Sequence, residues 1–310
     1  MTKIIHDTDI GSEMTDAATL TLLTISPEIK LLGVTTVTHD STFRASVAKK
    51  FLELLGKINI PVSAGFGKPA EHIWEKGIVF PDGYKPLELD SRPAWRLILD
   101  LVNQNKGNVT LVGTGTTTNI AKALEEDPEL PKKVSKLVLM GGMIEPPMVD
   151  GKQIPRGFEY NFCNDSASIE KIIKAGFNLT ILPGDLTFQQ DDPWTEEELA
   201  ELSKIKHPAV ELLIKLKNRS LVAMKEGMEK ADLPLEFAKP WVNDEFVAAY
   251  LINPVLFKTK DIFIKWELPD KYPRLVPLEG GYPIKLIYKT DFIKTRKFII
   301  DRFNKILNKN

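Results

Sequence analysis

The sequence predicts an α/β fold, with a mostly parallel central sheet flanked by helices. Three observations carry that expectation. Short β-rich apolar runs alternate with amphipathic segments, which is the pattern of βαβ units. A length of 310 residues suits one large α/β domain able to bury a sizeable core. An acidic cluster follows the first apolar run directly, at the carboxyl end of a strand, where sheets of this kind bind ligands.

The expected strands are Ile4-Ile5, Leu31 to Val37, Pro61 to Ala64, Val109 to Val112, Leu137 to Met140 and Leu179 to Leu182. Between them the apolar spacing predicts helices over Phe43 to Leu55, Ala94 to Asn103, Thr118 to Leu124 and Ala167 to Ala175. Two stretches depart from this rhythm. Residues of about 68–89 are rich in Pro, Gly and aromatics and read as a long loop able to cover a site. Thr195 to Ala231 reads as two polar helices, an insertion of about 195–240 that ends near Pro234 and Pro240. Near the end, Lys285 to Lys309 reads as a helix with Phe298, Ile299, Phe303 and Ile306 inward and its basic residues in solvent. No internal repeat or linker divides the chain, so residues 1–310 are expected to form a single domain.

Composition narrows the class. A formal net charge of -1, with no basic stripe interleaved with aromatics, argues against nucleic acid as the main partner. Cys163 is the single cysteine, which excludes an internal disulfide and a cysteine metal cluster and reads as a small packing residue. No secretory pattern opens the chain and no apolar run is long enough to span a bilayer, so a cytoplasmic protein with no membrane partner is expected.

The chemistry concentrates at strand ends. Asp7-Thr8-Asp9-Ile10-Gly11-Ser12-Glu13-Met14-Thr15-Asp16 leaves the first strand and enters a helix. Side chains two apart on a strand share a face, so Asp7 and Asp9 are expected to project together, with Asp16 returning in the first helical turn. Three converging carboxylates repel unless a cation lies between them, and a hard ion with oxygen ligands answers that need. Asp7 or Glu13 taken alone can equally be a helix cap.

Further along, Thr114-Gly115-Thr116-Thr117-Thr118-Asn119 follows one strand and Met140-Gly141-Gly142-Met143 the next. A Gly at such a turn lets backbone approach a ligand closely, and a Thr-rich turn with a cap fits the first segment equally well. Glu159 and Asn161 alternate with aromatics; a carboxylate and an amide on one face suit vicinal sugar hydroxyls, as exposed edge-strand polarity also would produce. Trp241-Val242-Asn243-Asp244 opens an apolar helix, where Asp244 is either a further metal oxygen or, like Asn243, an N-cap.

This ordered series resembles the nucleoside hydrolase family of the inosine-uridine preferring type, over nearly the whole chain. The resemblance rests on the DTDxG start, the TGxxTN turn, the VLMGG strand end, the Glu-aromatic-Asn segment, Gly184 to Thr187 and the late acidic helix opening. It implies the Rossmann-like fold of that family and hydrolysis of a ribonucleoside's N-glycosidic bond at Ca²⁺, within nucleoside catabolism or salvage. It also implies a homo-oligomer, dimer or tetramer. In its terms Asp9 is metal ligand and general base, Asp16 and Asp244 are ligands, and Thr114 adds its carbonyl, with Asp7 a ligand or a support behind the ligands. Glu159 and Asn161 hold ribose hydroxyls, and Trp74, Trp241 or Tyr84 can stack on the base.

Three positions depart from the family pattern. Asn243 stands where many members carry a His that protonates the leaving base, Thr15 replaces the first of two adjacent acids, and Asp40 stands where an Asn is common; all three are expected on the substrate side of the site. They leave open a nucleoside- or sugar-binding protein without turnover. A haloacid dehalogenase-type phosphatase shares the DxD strand end, but its further acids are missing after Gly184-Asp185.

Overall fold

The computed structural model describes residues 1–67, 76–189, 191–230, 234–270 and 272–308. Its strands are β1 (Thr2–Thr8), β2 (Ile29–Thr36), β3 (Val62–Ala64), β4 (Thr110–Gly113), β5 (Lys136–Met140), β6 (Met148–Val149), β7 (Lys152–Gln153), β8 (Leu179–Leu182), β9 (Phe257–Glu267), β10 (Arg274–Pro277) and β11 (Tyr282–Thr290). Nine of them form one sheet in the order β10-β9-β11-β8-β5-β4-β1-β2-β3, and β6 and β7 make a small separate ribbon. From β3 through β2, β1, β4, β5 and β8 to β11 every neighbour is parallel, while β9 and β10 add an antiparallel edge.

The sheet is covered on both faces because its inner strands are apolar on both. Ile4 of β1 packs into a core built with the helices Met14–Ile25, Ser41–Leu54, Glu245–Ile252 and Phe292–Leu307. Its neighbour Ile5 points the other way, into a core with Ala94–Gln104, Thr118–Glu126 and Ser166–Lys174. That alternation is the two-residue period of a strand, and burial on both faces is what parallel sheets require. The chain reverses direction across the sheet between β1 and β4, since β2 lies on one side of β1 and β4 on the other. A crevice at that switch point, beyond the strands' carboxyl ends, is the ligand position of such folds.

The C-terminal expectation needs correction. Lys285 to Thr290 belong to β11, and the helix starts at Phe292, capped by Asp291, whose carboxylate accepts from Lys294 N at 3.1 Å. Ile299 and Phe303 do face inward, but Ile306 is only partly buried. The polar stretch after Thr195 forms two helices, Glu196–Leu202 and Pro208–Lys230. Cys163 is half-buried, its thiol 3.5 Å from the Arg156 carbonyl. Among the described residues no helix is long and apolar enough to cross a membrane.

One buried amide ties the strand ends together. Asn119 Nδ2 donates to Asp7 Oδ1 at 2.8 Å and to the Thr36 carbonyl at 3.0 Å, while its Oδ1 accepts from Phe66 N at 3.0 Å. Replacing Asn119 by Ala removes all three bonds; Asp7 Oδ1 keeps Thr35 Oγ1 and the Thr36 carbonyl keeps Gly65 N, so Phe66 N is the group that loses its partner, at a cost of about 1–3 kcal/mol. Chemical denaturation of Asn119→Ala is expected to show a loss of about 1–3 kcal/mol, and an unchanged midpoint would contradict that role.

Candidate active site

A cleft of about 280 Å³ opens at the switch point. From the turn after β1 it takes Asp9, and from the following helix Thr15 and Asp16. Thr114 enters from the end of β4, and Met140 from β5. Glu159, Tyr160 and Asn161 come from the start of the helix Tyr160–Asn164, and Trp241, Asn243 and Asp244 precede the helix Glu245–Ile252. Gly115 permits this convergence: a Cβ there would lie 2.9 Å from Asp9 N and 2.7 Å from Val37.

Hydrogen bonds fix the floor. Asp16 Oδ1 accepts from Thr8 Oγ1 at 2.5 Å and from Thr114 Oγ1 at 2.7 Å. The Thr114 hydroxyl also meets His6 Nε2 at 2.9 Å; burial pushes His6 down to about 3, so the ring is neutral and structural. Asp16 lies beside Asp9 and Thr15 beside Asp244, each contact favouring the ionised form of the carboxyl it meets. Asn161 Nδ2 spans the Thr114 and Met140 carbonyls, each at 3.2 Å. Glu159 caps its own helix, accepting from Asn161 N at 2.7 Å and from Phe162 N at 3.1 Å.

Charge is crowded here. Burial raises Asp9, Asp16 and Asp244 above the usual carboxylate range, and for Asp16 the neighbouring Asp9 charge adds to it, as Asp16 and Asp9 do for Asp244. Asp244 Oδ1 and Asn243 Oδ1 are buried with no hydrogen-bond partner among the described residues. Arg44 is the cation of the wall, but it is held by the Ile10 and Thr38 carbonyls and Ser12 Oγ at 3.0–3.1 Å.

A family model described as inosine-uridine preferring nucleoside hydrolase matches residues 4–280. The inosine-uridine preferring nucleoside hydrolase of Leishmania major is 30% identical over 330 residues, an alignment covering 98% of each chain. The chain belongs to the inosine-uridine preferring nucleoside hydrolase family. As a nucleoside hydrolase it is a hydrolase acting on N-glycosyl bonds. The pyrimidine-specific ribonucleoside hydrolase RihB of Escherichia coli (strain SE11) is also 30% identical, with 85% of this chain and 82% of that one covered. The purine-preferring ribonucleoside hydrolase from Gardnerella vaginalis shares the fold, with a TM-score of 0.80 at 19% identity over 99% of both chains.

Not every expected residue of this nucleoside hydrolase reaches the cleft. Asp7 does not line it: β1 ends at Thr8, so the strand period does not carry on to Asp9, and Asp7 Oδ1 accepts instead from Thr35 Oγ1 at 2.6 Å and Asn119. Asp40 is also outside the lining and caps the helix Ser41–Leu54, accepting from Phe43 N at 2.9 Å. Tyr84 hydrogen-bonds Glu53 and stacks on Phe80, away from the cleft. Trp74 lies outside the described residues. Glu159 and Asn161 sit on a helix start rather than an edge strand. Of the three acids expected to converge, Asp9 and Asp16 meet in the cleft and Asp7 stands behind it; among the described residues no three His, Cys, Asp or Glu side chains already stand at metal-holding spacing.

Sequence reasoning missed Glu13, His39, Arg44 and Phe188 as lining residues. The aromatic wall has a local signal only in part: Phe158 and Phe188 meet edge-on at 5.1 Å, and Phe188 meets Trp241 at 5.6 Å.

The crowded carboxylates have a measurable consequence. Burial lifts Asp7, Glu13 and Glu159 to about 7 and Glu245 to about 8. Such groups hold protons in the fold that the unfolded chain has already lost, so metal-free stability falls as pH rises from about 4 towards 8. The chelator-treated protein is expected to melt lower at pH 8 than at pH 5.5 in a thermal scan. A higher melting temperature at pH 8 would contradict this ordering.

Proposed function

We propose that this nucleoside hydrolase cleaves the N-glycosidic bond of a ribonucleoside to free base and ribose, with Ca²⁺ held by Asp9, Asp16, Asp244 and the Thr114 carbonyl. The observation that carries the reading is the gathering of these four groups with Glu159 and Asn161 in one cleft at the switch point. The donor chemistry suits an oxygen-seeking cation, while the spacing of these acids is wider than a bound ion would draw them to, since among the described residues no three stand at metal-holding spacing. The donors are all carboxylate and carbonyl, Asp9 and Asp16 stand side by side, and Asp244 Oδ1 is buried with no hydrogen-bond partner among the described residues. When bound, calcium would take oxygen ligands from the ribose diol and make water more acidic.

The remaining work falls to side chains. Asp9 takes a proton from the attacking water. Glu159, already fixed by backbone N–H groups, accepts from a sugar hydroxyl, and Asn161 offers its amide oxygen while its Nδ2 is held by two carbonyls. Carboxylates around the sugar favour the positive charge that develops as the bond to the base breaks. Phe158, Phe188 and Trp241 provide an apolar wall for the base; Trp241 is fixed by its Nε1 bond to the Phe237 carbonyl at 3.0 Å. Residues 1–310 act as one domain in this proposal, supported by a family match running from residue 4 to 280.

A second reading, a nucleoside-binding protein without turnover, is favoured by Asn243, which lines the cleft and carries no proton to give. Product analysis separates the two, using purine and pyrimidine ribonucleosides, 2′-deoxynucleosides and nicotinamide riboside with and without chelator. Free base released only without chelator supports hydrolysis. A calcium-dependent rise in melting temperature with nucleoside, and no free base, supports binding alone.

A further inference from the structure

Hydrolysis leaves the base with an electron pair that must be protonated, and Asn243 cannot supply the proton. The cleft holds another candidate on its rim. Tyr160 Oη lies 2.7 Å from His39 Nε2, and both residues line the cleft that contains Asp9. The groups assigned to the sugar and cation, Glu159, Asn161, Asp16 and Asp244, are buried on the floor, whereas Tyr160 is 37% exposed and His39 is exposed. A sugar held on the floor would leave its base facing that rim.

The backbone is strained to put His39 there. Thr38 and His39 adopt φ of 73° and 45°, left-handed values uncommon for residues other than Gly. Arg44 Nε clamps the Thr38 carbonyl at 3.1 Å, and the Phe66 carbonyl accepts from Thr38 N at 2.8 Å.

We propose that Tyr160 protonates the departing base and that His39 is the positioning residue that resupplies the phenol. The inference rests on the hydrolase reading above. The C1′–N bond breaks with its electron pair going to the base nitrogen, which takes the Tyr160 phenol proton. The phenolate oxygen takes the proton of His39 Nε2, and the exposed ring recovers one from solvent. Water forms the new C1′–O bond and gives its proton to Asp9.

The pair is needed as a pair. Burial pushes the Tyr160 phenol up to about 12, so it surrenders a proton readily only if another follows from behind. Outside this pair and the groups assigned to the sugar and cation, Glu13 is the protonable group of the lining, but a cation among Asp9, Asp16 and Asp244 favours the ionised form of a neighbouring carboxyl. That leaves the Tyr160–His39 pair as the proton source, with the phenol its end on the Asn161 side.

The test compares a ribonucleoside with p-nitrophenyl riboside, whose leaving group departs without a proton. The wild type is first shown to release base and ribose; if it releases neither from any nucleoside, the hydrolase reading falls and this inference with it. Given turnover, Tyr160→Phe is expected to lower kcat on the nucleoside about 10²-fold or more, at least about tenfold beyond its loss on the aryl riboside. His39→Asn should shift the same ratio in the same direction, with KM little changed. Equal losses on both substrates, or none, would overturn the assignment. So would a leaving-group-dependent loss in Glu13→Gln in place of Tyr160→Phe.

Discussion

Asp9→Asn is expected to lower kcat on ribonucleosides by on the order of 10³-fold, the usual scale for a lost general base, while leaving the fold intact. Asn keeps the shape of the side chain but cannot take a proton from water. The fold should not suffer, because burial raises Asp9 and its charge in turn raises Asp16. Removing a carboxylate from that group relieves repulsion in the metal-free protein. The variant should therefore melt no lower than the wild type in chelator at pH 8. Steady-state kinetics beside a thermal scan checks both halves, and near-normal kcat in a folded variant would remove the proposed base.

The second large effect concerns calcium. Asp16→Asn and Asp244→Asn each remove a charged oxygen from the proposed donor set, and each is expected to weaken calcium binding at least about 100-fold. Asp7→Asn provides the contrast. Asp7 stands behind the cleft on Thr35 and Asn119, so its loss should weaken binding only about tenfold. Calorimetric titration of the metal-free proteins at pH 8 reads these differences directly. Wild-type affinity in Asp244→Asn would place the ion elsewhere.

The parts of the fold that were legible in the sequence are those whose pattern is local. Leu137 to Met140 and Leu179 to Leu182 are buried on both sides and read as runs that are apolar but for Thr180, and the helix Ala94–Gln104 carries a clear apolar stripe. The edge was harder to read. β9 is largely exposed and opens with the polar run Lys258-Thr259-Lys260-Asp261, so it lacks the buried run that marked the inner strands.

The candidate site divides in the same way. Acids at strand ends were visible because the chain order itself sets the crevice. Asp40 shows the limit: Asp before Ser-Thr-Phe is a capping signal, and the cap accounts for it without a ligand. His39 reads from sequence only as a loop candidate for the leaving-group acid and Arg44 gives no signal, because their place depends on a left-handed turn and on carbonyls from two separate loops. Tyr160 was passed over as the aromatic between two polar residues; its partner is 121 residues away in sequence.

The most direct measurement is a crystal structure of the protein grown with calcium and a ribose-bearing ligand. The account predicts one ion bound by Asp9, Asp16, Asp244 and the Thr114 carbonyl, with the ribose diol completing its oxygen shell. An ion seated away from those carboxylates, or a ligand whose diol lies outside the cleft, would contradict it.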